Sequence, residues 1–335
     1  MRKKIGMIII GVFLITMGAV LYVFRQNSFD MVEQSIEISS PQGKLTGTLV
    51  LPKKEYGKLG LVLFVHGDGP INASHDDGYK PLWERLASQG YASLSLNKRG
   101  INGSEGDWLE QSIDDRAEEA RQALAWARTQ PMIDDKRIGV WGASQAGWVI
   151  PKLAGKEPLA FSILVSPAIN WLTQGEYNTR EQMAKAGSTE VEISEQVAYE
   201  QELKELLKEN GSYDEYVNKA HTNEIMSKER WTFVSKNFRS DATADLHNFK
   251  SPVLLLLGEE DINVDATETE QVYRKKVSPP SLLTVKVFAD TEHSMLATKT
   301  ADSKLRALLI SLFAPRKITV NGYMEQIEQF LKRLP

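Results

Sequence analysis

Short apolar runs alternate along this chain with longer stretches in which apolar residues recur every three or four positions. Leu59 to Val65 is a continuous apolar run closing on His66-Gly67, the pattern of a strand buried on both faces. Tyr91 to Leu96, Arg137 to Trp141, Phe161 to Val165, Pro252 to Leu257 and Leu282 to Phe288 are predicted strands too. Ser35 to Ser39 and Leu45 to Leu51 predict a pair turned at Pro41-Gln42-Gly43. Tyr79 to Gln89 predicts a helix stopped by Gly90, and Gln145 to Ala154 another. The clearest helix is Ser112 to Gln130. Ser112 and Asp115 form a capping-box pattern, and Ile113, Ala117, Ala120, Leu124 and Ala127 share one face. A last helix carries Tyr323, Ile327, Phe330, Leu331 and Leu334 on one side. Strands alternating with helices predict an α/β class with a mostly parallel central sheet covered on both faces.

One stretch breaks the rhythm. From about Ile169 to His247 no strand pattern is visible, but charged helical sequence is, such as Ser194 to Asn210 stopped by Gly211. It predicts a helical cap insertion rooted at the edge where the strands end. Glu202, Lys204 and Glu205 should face water there, and Leu203, Leu206 and Leu207 the pocket or the core. The expected organisation is an anchor and linker over 1–30, a core in two parts over 31–168 and 248–335, and the cap over 169–247.

The amino-terminal segment differs in kind. Arg2, Lys3 and Lys4 precede an uncharged run from Ile5 to Phe24. At ~1.5 Å per residue that run is about 30 Å long as a helix, the thickness of a bilayer's hydrocarbon core. It predicts a single-pass transmembrane anchor in the cell membrane, with the basic end cytoplasmic and the rest of the chain outside. The alternative is secretion after signal-peptide cleavage. A cut at the small residues Thr16 and Gly18 would leave an apolar end from Ala19 to Phe24.

Composition narrows the chemistry. A hydrophobic share of 42% and a charged share of 25% over 335 residues allow a large core. The net charge of −4 argues against nucleic acid as a partner. With no cysteine, disulfides, thiolate catalysis and Cys-ligated metals are excluded. His75-Asp76-Asp77 has no second cluster at ligand spacing and predicts a solvated loop, and no phosphate-binding glycine loop is present. Neither metal nor cofactor is expected.

Gly142-Ala143-Ser144-Gln145-Ala146-Gly147 lies where a predicted strand meets a predicted helix. A nucleophilic serine on so sharp a turn needs small residues two places to either side, here Gly142 and Ala146. A serine hydroxyl also needs a base, itself held by an acid. Of the five histidines, His293 follows the strand Leu282 to Phe288, while His221 and His247 sit in the insertion. Asp261 follows the strand Pro252 to Leu257. Ser144, Asp261 and His293 thus each stand just past the carboxyl end of a strand, the edge where open parallel sheets assemble their sites. Backbone N–H groups of Gln145 and Asp68 are the expected oxyanion donors, the latter from the glycine-bearing loop His66-Gly67-Asp68-Gly69-Pro70. His66 should position that loop. Trp148, Trp171 and Trp231 are either core residues or walls of an acyl pocket.

Taken together, the motifs resemble the α/β-hydrolase superfamily, near its esterase and serine-aminopeptidase-like branch. The resemblance rests on His66 to Pro70 as a His-Gly-x-Gly-Pro loop and Arg99 to Ser104 as an Arg-Gly-x-Gly-x-Ser turn. Gly258 to Val264 matches a Gly-x-x-Asp-x-x-Val acid loop, and the likeness covers roughly Glu33 to Pro335. It implies the α/β-hydrolase fold and a serine hydrolase. The departures are Ala146 for glycine, Asn97 for a frequent Asp, and Asn102 for a turn glycine. The expected activity is cleavage of a small-molecule carboxylic ester through an acyl-enzyme intermediate. A peptidase or acyltransferase on the same apparatus, and an anchored non-catalytic binding protein, are the alternatives.

Overall fold

The computed structural model describes residues 2–221 and 225–334. Eight strands form one sheet: β1 (Met31–Ile38), β2 (Leu45–Pro52), β3 (Leu59–Val65), β4 (Tyr91–Leu96), β5 (Ile133–Ala143), β6 (Ser162–Val165), β7 (Val253–Gly258) and β8 (Leu283–Phe288). Their spatial order is β1-β2-β4-β3-β5-β6-β7-β8. β2 pairs antiparallel with β1 and β4, and every pairing from β4 onward is parallel. The helices, in chain order, are α1 (Arg2–Asn27), α2 (Lys80–Ser88), α3 (Ile113–Arg128), α4 (Ala146–Ala154), α5 (Trp171–Lys185), α6 (Glu190–Lys208), α7 (Tyr213–Lys219), α8 (Lys228–Asn237), α9 (Ala266–Lys276), α10 (Thr298–Ala301), α11 (Lys304–Phe313) and α12 (Tyr323–Lys332).

β3 and β7 are apolar and buried at every position because both faces are covered. Leu61, Leu63 and Val65 of β3 join one core with Ala117 and Leu124 of α3, Val149 of α4 and Tyr273 of α9. Val62 and Phe64, one residue out of phase, join a second core with Trp83 and Leu86 of α2 and Ile327 and Phe330 of α12. Helix α3 begins as the sequence predicts: Asp115 N–H donates to Ser112 Oγ at 3.1 Å, and Ser112 N–H donates to Asp115 Oδ2 at 2.8 Å.

Helices α5 to α8 lie between β6 and β7. The chain leaves and returns through a narrow neck, where Trp171 N–H donates to Ser240 O and Ala242 N–H to Ile169 O. These helices carry their own apolar cluster: Leu206, Leu207, Tyr216, Trp231 and Phe238, with Leu203 packed beside it. Of the two environments expected for Leu206 and Leu207, the structure puts them in this core. Trp231 is there too, stacked on Tyr216 with centroids 4.4 Å apart.

Helix α1 carries the amino-terminal apolar run, with Phe13, Leu14, Ile15, Val20, Leu21 and Phe24 exposed. Among the described residues no helix is long and apolar enough to cross a membrane, so the expected span is not supported by this part of the chain. The side chains of residues 5–9 and 12, inside that run, lie outside those described.

Candidate active site

Parallel strands put their carboxyl ends on one edge, and the loops after β3, β5, β7 and β8 converge there. Ser144 directly follows β5 with φ of +55°, the left-handed conformation a strand-to-helix elbow requires. Its carbonyl accepts from Gly147 N–H at 2.8 Å and Ala168 N–H at 3.0 Å, and its own N–H donates to Val165 O at 3.0 Å. At Gly142 a Cβ would lie 2.6 Å from the Ala146 methyl and 2.9 Å from Val65 O. The one methyl by which the motif departs from the glycine pattern therefore rests against the glycine that remains.

Asp261, after β7, is buried and fully engaged. Oδ1 accepts from Asn263 N–H at 2.8 Å and Val264 N–H at 2.9 Å, while Oδ2 accepts the Nδ1 proton of His293, after β8, at 2.8 Å. That bond leaves Nε2 of His293 as the free ring nitrogen, the one a base needs. Ser144 and His293 line the same two cavities. Sequence reasoning missed what steadies this pair. Tyr177 Oη donates to Asp261 O at 2.8 Å, and Asn178 Nδ2 donates to Ile262 O at 2.9 Å, both from α5. Glu292 Oε1 accepts from Ser294 and Leu296 N–H at 2.9 and 3.0 Å and shapes the His293 loop. Tyr177 and Asn178 gave no signal, since the carbonyls they bond lie 84 positions away.

The loop after β3 crosses directly above the elbow, and a Cβ on Gly67 would touch Ser144 Cβ at 3.4 Å. Neither the Asp68 N–H nor the Gln145 N–H has a hydrogen-bond partner among the described residues. Both are open donors flanking the serine. Buried cations hold the two segments together from below. Arg116 of α3 donates through one nitrogen to Gln145 Oε1 and through the other to His66 O. Burial pulls its guanidinium down to about 10, still charged at neutral pH. Lys98 Nζ donates to Gly67 O at 2.6 Å and lies 4.8 Å from the Trp108 ring. Burial, then the Arg116 charge, push this ammonium well below its ordinary value.

His66 is structural, as its position suggests. Nε2–H donates to Leu96 O at 2.6 Å and Nδ1 accepts from Tyr79 Oη at 3.2 Å. Burial lowers its pKa to about 3, so the ring stays neutral. The family-pattern departures are satisfied locally: Asn97 Oδ1 accepts from Ala73 N–H at 2.7 Å, and Asn102 takes φ of +43°, which Asn tolerates.

Two cavities meet at the serine. One, of about 560 Å³, runs beneath α2 and α12 past Leu82, Trp141, Val165, Met295 and Met324. The other, of about 370 Å³, opens towards α5 and α8 past Trp148, Trp171, Gln174, Asn178 and Arg230. They share Asp68, Ser144, Asn263 and His293. Trp148 and Trp171, stacked with centroids 5.0 Å apart, wall the second cavity rather than the apolar one. Arg230 grips the Asp68 carboxylate at 2.6 and 3.0 Å. Burial pushes that carboxyl up, but the hydrogen bonds and charge of Arg230 outweigh it and hold it below the usual range.

Comparison with known proteins shows the family and the fold. The family model described as X-Pro dipeptidyl-peptidase (S15 family) matches residues 43–294, which include Asp68, Ser144, Gln145, Asp261 and His293. An uncharacterized peptidase of Bacillus subtilis (strain 168) is 26% identical over 161 residues, covering 44% of this chain and 24% of that protein. Dipeptidyl aminopeptidase BIII of Pseudoxanthomonas mexicana is 32% identical over 130 residues, covering 34% of this chain and 18% of its own length. The chain thus matches about a quarter or less of the length of these relatives. An esterase from Pyrococcus furiosus superposes with a TM-score of 0.58 at 19% identity, over 91% of each chain. An acylaminoacyl peptidase from Pyrococcus horikoshii superposes with a TM-score of 0.57 at 16% identity, over 93% of this chain and 43% of that one. At these identities the likeness is one of fold.

Proposed function

The chain belongs to the X-Pro dipeptidyl-peptidase (S15) family and is an α/β-hydrolase-fold serine hydrolase, and within that chemistry we propose that it cleaves carboxylic esters. Ser144 Oγ attacks the ester carbonyl while His293 Nε2 takes its proton. Asp261 fixes the ring and stabilises the imidazolium. The oxyanion receives hydrogen bonds from the Asp68 and Gln145 N–H groups. The proton passes on to the departing alcohol, and water, activated by His293, then releases the acid.

The observation that carries the ester reading is the unlike pair of cavities meeting at Ser144. The apolar one suits an acyl chain; the one with Gln174, Asn178 and Arg230 suits a polar alcohol. A peptidase that removes dipeptides must neutralise a free amino terminus, normally with carboxylates. Among the described residues, the carboxylates lining these cavities are Asp68, already held by Arg230, and Asp76. Peptide hydrolysis is the second reading, favoured by the family match itself. Rates on 4-nitrophenyl esters of rising acyl length, beside Xaa-Pro 4-nitroanilides, decide between them. Faster cleavage of the anilides would reverse the assignment.

We further propose that α5 to α8 act as a cap over the alcohol side, and that α1 tethers the chain to the membrane. The uncharged run Ile5 to Phe24 behind Arg2, Lys3 and Lys4 supports the tether. Sedimentation of the full chain with membranes, resistant to high salt, is the expected result, and a freely soluble full chain would remove it.

A further inference from the structure

Helix α11 is apolar on almost every side yet buries none of its residues. Leu305 and Leu308 are 66% and 54% exposed, and Leu309, Leu312 and Phe313 stand out beside them. A helix apolar all round belongs in a core or in lipid, and contiguous leucines are rarely left to water. Cations bracket it: Lys304 and Arg306 at its start, Arg316 and Lys317 just past its end. It also sits against the root of α1. Asn27 Nδ2 donates to Leu312 O at 3.0 Å, and the Arg316 guanidinium donates to the carbonyls of Arg25, Gln26 and Ser28. Beneath α11 lies a further cavity of about 400 Å³, reaching from Asn27 and Phe29 to Ile318. It shares Asp76, Gly78, Ser311 and Ile318 with the apolar cavity that ends at Ser144.

We propose that α11 lies in the surface of the bilayer, and that the two adjoining cavities admit the acyl chain of a lipid-held ester from the membrane to Ser144. This rests on the proposed roles of Ser144 as nucleophile and of α1 as tether, and it narrows the substrate to acyl esters that reside in lipid. Three observations favour lipid as the occupant. The patch is contiguous with the root of the tether, which holds it beside the bilayer and lets a weak contact suffice. Lys304, Arg306 and Lys317 match anionic headgroups. A second copy docking through the same face would set those like charges against each other.

Because the chain has no cysteine, Leu308→Cys in the full chain takes a single nitroxide label. In vesicles of phosphatidylcholine with about one-fifth phosphatidylglycerol, that label should be reached by oxygen and shielded from a water-soluble nickel chelate. A control label at Glu202→Cys should be open to nickel. A nickel-accessible label at 308 overturns the docking, and so does spin–spin broadening at 308 in both vesicles and detergent, which assigns the face to a second copy. For the route, the L305Q/L308Q/L309Q variant should hydrolyse a long-chain ester held in those vesicles about tenfold more slowly, with a short soluble ester unaffected. Equal rates on the vesicle-held ester overturn the route. Failure of the unmodified chain on the short ester would instead overturn the ester reading, and the depth of the label would stand independently.

Discussion

The two cavities that meet at Ser144 are made of different material. Leu82, Trp141, Val165, Met295 and Met324, on the apolar side, are also members of the core between the sheet and α2 and α12. Their character is fixed by what the fold needs in order to bury its sheet. Gln174, Asn178 and Arg230, on the other side, come from helices whose own apolar cluster is separate. They can change with little consequence for the sheet. The apolar side is therefore tied to the stability of the sheet, whereas the polar side is tied to the loops of Asp261 and Asp68, through Asn178 and Arg230.

The largest effect should fall where the cavities join. Ser144→Ala should lower kcat/KM by about 10⁴-fold or more on every ester, whatever its acyl or alcohol group, with folding intact. A loss confined to some substrates would mean that the cavities do not share one nucleophile. Arg116 holds both oxyanion segments without facing either cavity's mouth. Arg116→Met should cost about 100-fold in kcat on long and short esters alike, with KM little changed. Near-UV circular dichroism separates that result from unfolding, and a rise in KM alone would deny Arg116 this positioning role.

Smaller effects should split the two sides. Met324→Trp fills the apolar cavity and should slow long acyl esters about tenfold while sparing acetates. Arg230→Gln should alter the ranking of alcohol groups by several-fold, about 1 kcal/mol, at constant acyl preference. If each variant shifts the other's preference, the assignment of acyl and alcohol sides is wrong. Leu206→Ala should cost about 2–5 kcal/mol in the stability of α5 to α8 and leave the acyl-length profile unchanged, because Leu206 packs inside that cluster.

The least effect on turnover is expected from pH acting through His66, whose pKa is lowered to about 3 by burial. An unfolded imidazole titrates near ~6.5, so below that pH the unfolded chain binds a proton which the folded chain refuses. This contribution is intact above about 6.5 and is lost as pH falls through the window towards the folded value. His66→Gln should flatten the slope of unfolding free energy in that window by up to about 1.4 kcal/mol per pH unit. An unchanged slope would mean that His66 is not buried neutral.

What the sequence made legible follows the same division. β3 and β7 announce themselves because strands covered on both faces are apolar throughout; β5 is apolar only in its second half, and the edge strand β8 alternates apolar residues with Thr284 and Lys286. Ser144, Asp261 and His293 were singled out by their place, each in the loop just past the carboxyl end of a strand, and the structure brings their loops to one edge. The supports were not singled out. Tyr177, Asn178, Arg116 and Lys98 act on backbone or buried polar atoms of distant segments, and polar residues on charged helices look the same whether or not they have such partners. Helix α11 escaped notice for the opposite reason. Lys304 to Phe313 is apolar nearly all round, so it lacks the one-sided stripe by which a helix is recognised.

In the proposed mechanism one nucleophile, Ser144, divides an apolar acyl site from a polar alcohol site. A crystal structure of the chain inactivated by a long-chain alkyl fluorophosphonate tests it most directly. Phosphorus is expected bonded to Ser144 Oγ, its oxygen facing the Asp68 and Gln145 N–H groups, with the alkyl chain running past Trp141 and Met324. Phosphorus on another residue, or an alkyl chain lying against Trp171 and Arg230, would contradict it.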